Sequence, residues 1–303
     1  MCPGRNEPCY CGNGRKYKHC HLAIDEAPLE HRYEAAQQVY ARNWTSTAQA
    51  HYQAQRYHWM AEQIKPFTPH RILDVGCGSG HGILALFDVL GKDIQVVALD
   101  ENPVCLKAAA QILVEGGVDA TFVKRLKPVL TTEGFAFEAA PLVGPFDGRC
   151  TLVEADICND PGMIQALVND SSFDLITIWL TGTHMMRKFN KDVRSKNIES
   201  DGMHRLYVQN RVYELADRIL KSGGVLQVVD RSEAPTTEEM RDDCLNAHRD
   251  QASVTSLDVK TLEYLPYDEP QTSRTPMIFT PSTSGRVPKQ FQPAITSVIS
   301  IKP

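Results

Sequence analysis

Two stretches of the sequence concentrate residues that can do chemistry. The first is NEPCYCGNGRKYKHCH, residues 6–21, where Cys9 and Cys11 flank one residue and Cys20 with His21 follow after eight more. Soft and borderline ligands at this short spacing suit zinc. Four protein ligands close the coordination shell, which makes the expected metal structural rather than catalytic. Gly12 and Gly14 let the chain double back between the two ligand pairs. Cys2 and His19 fall outside the pattern and are read as non-ligands. A segment of about twenty residues buries too little apolar surface to fold alone. A structural zinc, worth roughly 10–16 kcal/mol of apparent binding energy in finger peptides, can supply that order.

The second stretch is ILDVGCGSGHG, residues 72–82. Asp74 ends an apolar run, Gly76, Gly78 and Gly80 follow at alternate positions, and a helix is expected from about His81. Such glycines permit positive φ and a close backbone approach to a ligand, with free N–H groups behind them at the helix start. A dinucleotide fold would need G-x-G-x-x-G. GCGSGH puts His81 in place of the third glycine, and GSGHGI fails as well. The carboxylate two residues before the first glycine also suits a cationic group better than a pyrophosphate. Asp100 ends the next apolar run, where a carboxylate can accept both hydroxyls of a ribose. Asp156 ends the third, in VEADICND, where an acid can hold an adenine amino group from the side.

The elements that must position these acids are legible in outline. Apolar runs at 71–76, 93–100, 150–157, 173–180 and 223–230 alternate with helical patterns at 81–91, 103–115, 161–169 and 204–221. Continuous apolar strands separated by helices predict a doubly wound α/β domain around a mostly parallel sheet. Late strands are expected at 256–267 and 294–301, the last of them antiparallel. Ahead of the domain, residues 28–65 read as helix, with Tyr33, Ala36, Tyr40 and Trp44 on one face and a break near Thr45-Ser46. The expected organisation is a zinc module at 1–22, a helical linker or cap at 23–69, and the α/β domain at 70–303. Irregular insertions are expected at about 124–149 and 270–293.

Composition sets the bounds. The chain has 303 residues, 42% apolar and 23% charged, with a formal net charge of −5, so no generally nucleic-acid-binding surface is expected. No run approaches about 18 apolar residues, and the first residues lack a signal-like apolar region, so a cytoplasmic protein without membrane contact is expected. Cys77, Cys105, Cys150, Cys158 and Cys244 are scattered and read as reduced thiols.

On D-V-G-C-G-S-G (74–80), the acids in ALDEN and EADI, the FDLITIWL strand and LKSGGVLQVV (220–229), the chain resembles the class I S-adenosylmethionine-dependent methyltransferases over about residues 70–230. The resemblance implies a Rossmann-like sheet and S-adenosylmethionine contacts at Asp74, Gly76, Gly78, Gly80, Asp100, Glu101, Asp156, Ile157 and Trp179. Within that set, the glycines would pass the methionine part, Asp74 would orient its amino acid end, Asp100 would bind ribose, and Asp156 with Ile157 would meet adenine. Residues 179–194, WLTGTHMMRKFNKDVR, would face the methyl acceptor. They contain neither the N/D-P-P-Y/F segment used for base amino groups nor a Pro-Cys for attack on a pyrimidine.

His184 could serve there as a base, or be a loop histidine with local bonds. Arg187, Lys188, Lys191, Arg194 and Lys196 could attract an anion, or form a solvated loop face. Tyr33, Tyr40, Trp44 and Tyr52 could lid the cofactor, or simply pack against the domain.

GRNEPCYCGNGRKYKHCH, in turn, resembles the SEC-C motif, the zinc-binding tail of the bacterial preprotein translocase motor. The resemblance implies zinc on Cys9, Cys11, Cys20 and His21. Arg5, Arg15, Lys16 and Lys18 against Glu7 make residues 3–21 a cationic knob suited to an acidic protein or to the ribosome. The expected function is therefore methyl transfer from S-adenosylmethionine to an unidentified acceptor, with the zinc module as a docking element. The alternative is a cofactor-binding adaptor that docks through that module without efficient transfer. A nicotinamide oxidoreductase is disfavoured by the glycine spacing. The two parts read as independent, so substitution of Cys9 or Cys20 by serine is expected to leave cofactor binding intact.

Overall fold

Runs such as ILDV and VVAL offer water no polar face, so they must lie in a sheet covered on both sides. A computed structural model shows this arrangement, describing residues 3–9, 14–131, 134–142, 146–170, 172–183, 185–269, 275 and 292–303. A 3-10 turn (Tyr17–His19) leads into helices α1 (Leu22–Asp25), α2 (Leu29–Gln53) and α3 (Arg56–Ile64). There follow β1 (Arg71–Val75), α4 (His81–Leu90), β2 (Gln95–Asp100), α5 (Pro103–Glu115), β3 (Ala120–Val123), β4 (Leu126–Thr131) and β5 (Gly134–Ala139). Next come β6 (Cys150–Glu154), α6 (Pro161–Asn169), β7 (Phe173–Trp179), a 3-10 turn (Met185–Phe189), α7 (Lys191–Arg194) and α8 (Asp201–Ile219). The chain closes with β8 (Leu220–Glu233), α9 (Glu238–Ala252), β9 (Asp258–Pro266) and β10 (Pro293–Ile301).

Among the described residues, eight strands form one sheet in the order β3-β6-β2-β1-β7-β8-β10-β9. Pairing is parallel from β3 through β8, and β10 runs antiparallel between β8 and β9. Side chains alternate across each strand. Ile72, Val96 and Ala98 pack with α3, α4 and α5 on one face, through Met60, Ile64, Ile83, Leu86 and Leu106. Leu73, Val97 and Ile176 pack on the other with Met163 and Leu167 of α6 and Val212 and Tyr213 of α8. The doubly wound, mostly parallel sheet is thus as the sequence predicts.

Local chemistry starts the helices around it. Asn102 accepts from the Val104 N–H at the start of α5, and Asp160 accepts from the Met163 N–H at the start of α6. Each cap is followed by a proline that needs no donor there. Helix α2 runs unbroken through Thr45-Ser46, and the Thr47 hydroxyl bonds back to the Asn43 carbonyl. The break falls later, at Gln55, whose φ of 58° is left-handed.

The insertion at 124–149 is not irregular throughout: β4 and β5 form an antiparallel hairpin. The insertion at 270–293 lies outside the described residues except for Thr275, Gln292 and Pro293. The hairpin is anchored by one buried acid. A single Glu154 oxygen accepts the N–H groups of Arg125 (2.8 Å) and Leu126 (2.9 Å). Arg125 in turn pairs with Asp160 at 2.7 Å, both side chains 2% exposed. Glu154→Ala leaves two buried donors unpaired and should destabilise the chain by about 2–4 kcal/mol. Glu154→Gln, which keeps an acceptor, should cost less; the midpoints of urea unfolding measure both.

Candidate functional site

The turn after β1 is built from left-handed glycines, with φ of 80° at Gly76, 53° at Gly78 and 81° at Gly80. Its backbone is tied to the end of β2: Gly76 and Cys77 donate to the Leu99 carbonyl at 2.8 and 3.1 Å. Gly78 donates to one Asp100 oxygen at 2.9 Å, and Asn102 donates its N–H to the other at 2.8 Å. The turn is crowded from two sides. A Cβ on Gly78 would lie 2.7 Å from the Trp44 indole nitrogen, and one on Gly80 would lie 3.0 Å from the Ala109 Cα in α5. Gly80 therefore serves helix packing.

Above this turn, at the carboxyl ends of β1, β2, β6 and β7, opens a pocket of about 690 Å³, part of it open to solvent. Of the residues expected at the cofactor, Gly76, Gly78, Asp100, Glu101, Asp156 and Ile157 line it. Asp74 and Trp179 face a smaller cavity of about 250 Å³, which shares Gly76 and Trp44 with the first. Tyr40 and Trp44 bring α2 over the main pocket, with the Tyr40 hydroxyl pressed against Gly182. The other two aromatic residues of α2 are engaged elsewhere. Tyr33 packs on Phe135 with ring centroids 4.6 Å apart, and Tyr52 donates to Asp88 at 2.6 Å. The Thr181 and Thr183 hydroxyls line the pocket and have no hydrogen-bond partner among the described residues.

The acids fall into two groups. Asp74 is 4% exposed and accepts from the Thr177 hydroxyl at 2.7 Å; burial pushes its carboxyl up to about 6. Burial likewise pushes half-buried Asp100 up to about 7, against the lowering effect of the Asn102 and Gly78 N–H groups. Neither carboxylate has a cation within ion-pair distance among the described residues.

Asp156 and Glu101 instead share Arg187, which is 3% exposed. The guanidinium bonds Asp156 at 2.8 Å, pairs with Glu101, and donates from Nε to His204 Nε2 at 3.0 Å. That last bond requires a His204 nitrogen without a proton. Burial alone would lower the Arg187 pKa, and the two carboxylates outweigh it and hold it above the ordinary arginine value. Asp156 also accepts the Cys158 N–H at 3.0 Å and the Asn159 side-chain amide at 2.9 Å, so most of its acceptor capacity is in use.

Arg187 is the site residue that sequence reasoning missed, because it sits in one basic run with Lys188, Lys191, Arg194 and Lys196. Those four are exposed, and Arg187 alone turns inward. His184 lies outside the described residues.

The Cys/His stretch also converges. Cys9, Cys20 and His21 are 4%, 7% and 6% exposed, and their ligand atoms lie within 4.8 Å of one another. His21 Nδ1 is 3.0 Å from the Cys9 sulfur and 3.2 Å from that of Cys20. Two thiols and an imidazole this close form a borderline-soft donor set that fits zinc. Cys11, the expected fourth ligand, lies outside the described residues.

Residues 69–125 match the methyltransferase domain family and residues 5–23 match the SEC-C motif. Protein translocase subunit SecA from three strains of Pseudomonas putida is 68% identical over 22 residues. That match spans 7% of this chain and only 2% of the translocase subunit. Among solved structures, the chain is similar to an O-methyltransferase from Bacillus cereus in complex with SAH, at 11% identity and TM-score 0.41 over 80% of each chain. It is also similar to the O-methyltransferase TomG from Streptomyces achromogenes, in complex with SAM. There the identity is 12% and the TM-score 0.42, over 86% of this chain and 89% of that one. For YcgJ from Bacillus subtilis the figures are 17% and 0.43, over 81% and 98%. At these scores the structural likenesses carry no argument about substrate.

The Gly78–Trp44 contact can be isolated by a double-mutant cycle. Gly78→Ala should cost about 2–5 kcal/mol, made up of about 1–3 by overpacking against Trp44 and about 1–2 of left-handed strain. In a Trp44→Ala background the same change should cost less, about the 1–2 kcal/mol of left-handed strain alone. Gly80→Ala should keep its full cost in both backgrounds, because the α5 backbone opposes it; urea unfolding of the six proteins reads all of these.

Proposed function

For a chain that carries a class I methyltransferase domain behind an SEC-C motif, we propose that the main pocket binds S-adenosylmethionine and directs its methyl group to an acceptor entering beside Thr181 and Thr183. The observation that carries this reading is the division of charge in and beside the pocket. Asp156 and Glu101 are compensated by Arg187, whereas Asp74 and Asp100 are left with hydrogen bonds only. A ligand that is cationic at one end and neutral at the other matches that division. S-adenosylmethionine, with its ammonium and sulfonium on one side and adenine on the other, is such a ligand.

When bound, the sulfonium supplies a methyl group already activated for direct displacement. Everything else asked of the chain is positioning and the exclusion of water. Asp74 faces the smaller cavity and would orient the ammonium. Asp100 retains acceptor capacity for the ribose hydroxyls, and Ile157 would lie against the adenine with the Asp156–Arg187 pair behind it. Gly76 and Gly78 let the backbone approach the methionine part, and Tyr40 and Trp44 cover it. His184, next to Thr183 in the chain, is the candidate to take a proton from an O–H or N–H acceptor. Cys9, Cys11, Cys20 and His21 would hold one structural zinc. Metal analysis should then find about one zinc per chain, lost in Cys20→Ser.

Two experiments test the reading. Methyl-labelled S-adenosylmethionine is incubated with the protein and lysate separated into protein, RNA and small-molecule fractions. Label in one fraction identifies the acceptor class, and label in none defeats the transferase reading.

The second experiment uses Asp100. Because burial raises its pKa from 3.8 to about 7, its contribution to stability is fully present below pH 3.8 and is lost as pH rises through about 7. Above that pH the ligand-free fold carries a desolvated charge, which the ligand relieves. S-adenosylhomocysteine should therefore bind more tightly at pH 8 than at pH 6. Asp100→Asn should flatten that dependence and weaken binding by about tenfold or more.

A further inference from the structure

The N-terminal Cys/His stretch and the Arg187 end of the pocket are joined by one packed cluster. His21 runs directly into α1. Ile24 of α1 is 2% exposed and shares an apolar cluster with Tyr33 and Ala36 of α2, Phe135 of β5, and Met186. Tyr17 packs with Cys9, Cys20 and Leu22 and donates its hydroxyl to Asp25 at 2.7 Å, fixing the other end of α1. Met186 is 2% exposed and immediately precedes Arg187. Tyr33 connects the cluster to the charges, since Glu101, Arg187 and Asp156 all act on its buried phenol.

We propose that the N-terminal module supports the nucleoside end of the pocket, acting through Ile24 and Met186 on Arg187, the positioning residue that holds Glu101 and Asp156 together. This rests on reading the pocket as the S-adenosylmethionine site. The physical need is plain. A long arginine side chain loses much rotamer freedom when held in one geometry. The buried Asp156 and the half-buried Glu101, both bound to this one guanidinium, repel each other unless a cation stays between them. The Arg187 carbonyl accepts the Asn190 N–H at 3.0 Å within its own 3-10 turn. The Ile24–Met186 cluster holds the residue just before it, and α1 connects that cluster to the residues that would ligate the metal. Loss of metal order should therefore reach the pocket, in contrast to the independence expected from sequence.

Hydrogen exchange on the full chain tests the support directly. In Ile24→Ala, and in wild-type protein stripped by a chelator, amides at 185–190 and the Cys158 N–H bonded to Asp156 should exchange about tenfold faster. Leu262→Ala, a core truncation in β9, should leave those amides at the wild-type rate. Unchanged exchange at 185–190 in Ile24→Ala overturns the proposal, as does equal loosening by Leu262→Ala. A response to Ile24→Ala without one to chelation removes the metal module from it.

Titration with S-adenosylhomocysteine supplies the second readout. Ile24→Ala and Arg187→Met should weaken binding about tenfold or more, and Arg187→Lys should recover part of the loss. Wild-type affinity in Arg187→Met overturns the positioning role. Should wild-type protein bind no S-adenosylhomocysteine at all, the cofactor reading falls, and the exchange rates still decide the coupling.

Discussion

The hydrogen bond from the Gly78 N–H to Asp100 ties the glycine turn to the end of the neighbouring strand, and much else depends on it. The other Asp100 oxygen takes the Asn102 N–H, which fixes the residue that caps α5. Asn102, 1% exposed, then reaches with its side-chain amide to the Gln37 carbonyl in α2, 3.1 Å away. One strand-end carboxylate thereby organises the turn, the start of a sheet-covering helix, and the helix that roofs the pocket. A parallel sheet delivers such a carboxylate where backbone donors converge. Replacing it with a side chain that cannot accept both N–H groups would disturb three elements at once.

The same constraint explains the pattern of charge. Carboxylates at the carboxyl ends of buried strands lose water, and each must recover that loss locally or remain costly. Asp156 and Glu101 recover it through Arg187, and Glu154 through two backbone donors. Asp74 and Asp100 recover only part, as their raised pKa values record. Groups left partly uncompensated at the mouth of a cavity are where local stability yields to ligand binding. On the proposed reading, that asymmetry marks the end of the pocket that takes the ligand's cationic group.

How much of this is legible in the sequence varies with the physics of each element. The parallel strands and the helices at 103–115 and 161–169 stand out because burial on both faces demands unbroken apolar runs, and Asx-Pro starts the helices. The hairpin at 126–139 does not, since Pro128, Lys127 and Glu138 break its alternation and its stability comes from Glu154, elsewhere in the chain. Helix α9, EEMRDDCLNAHRDQA, is polar along nearly its whole length, and only Cys244, Leu245 and Ala252 pack on the core, too thin an apolar face to stand out. At the site, Asp100 and Asp156 are legible because strand ends place them. Arg187 is not, because its burial depends on acids 86 and 31 positions away, a distance that spacing arguments do not reach. The helix break is displaced for a similar reason. Thr45 to Thr47 look like a breaker, yet Thr47 satisfies its hydroxyl within the helix.

The open carboxyl edge of a doubly wound sheet has no cover of its own, so some other segment must exclude water from it. Here the cover comes from the N-terminal side, through Tyr40 and Trp44 of α2. Water exclusion strengthens every charge interaction beneath it, including the repulsion among the acids. The roof must therefore fit closely enough to keep water out and still leave room for a ligand. Trp44 meets this by resting on Gly78, where any side chain would collide with its indole. The glycine turn thus has two duties. It lets the roof descend from one side and, on the proposed reading, lets the backbone approach a ligand from the other. The first duty is invisible in a motif, because the residue that imposes it lies 34 positions upstream.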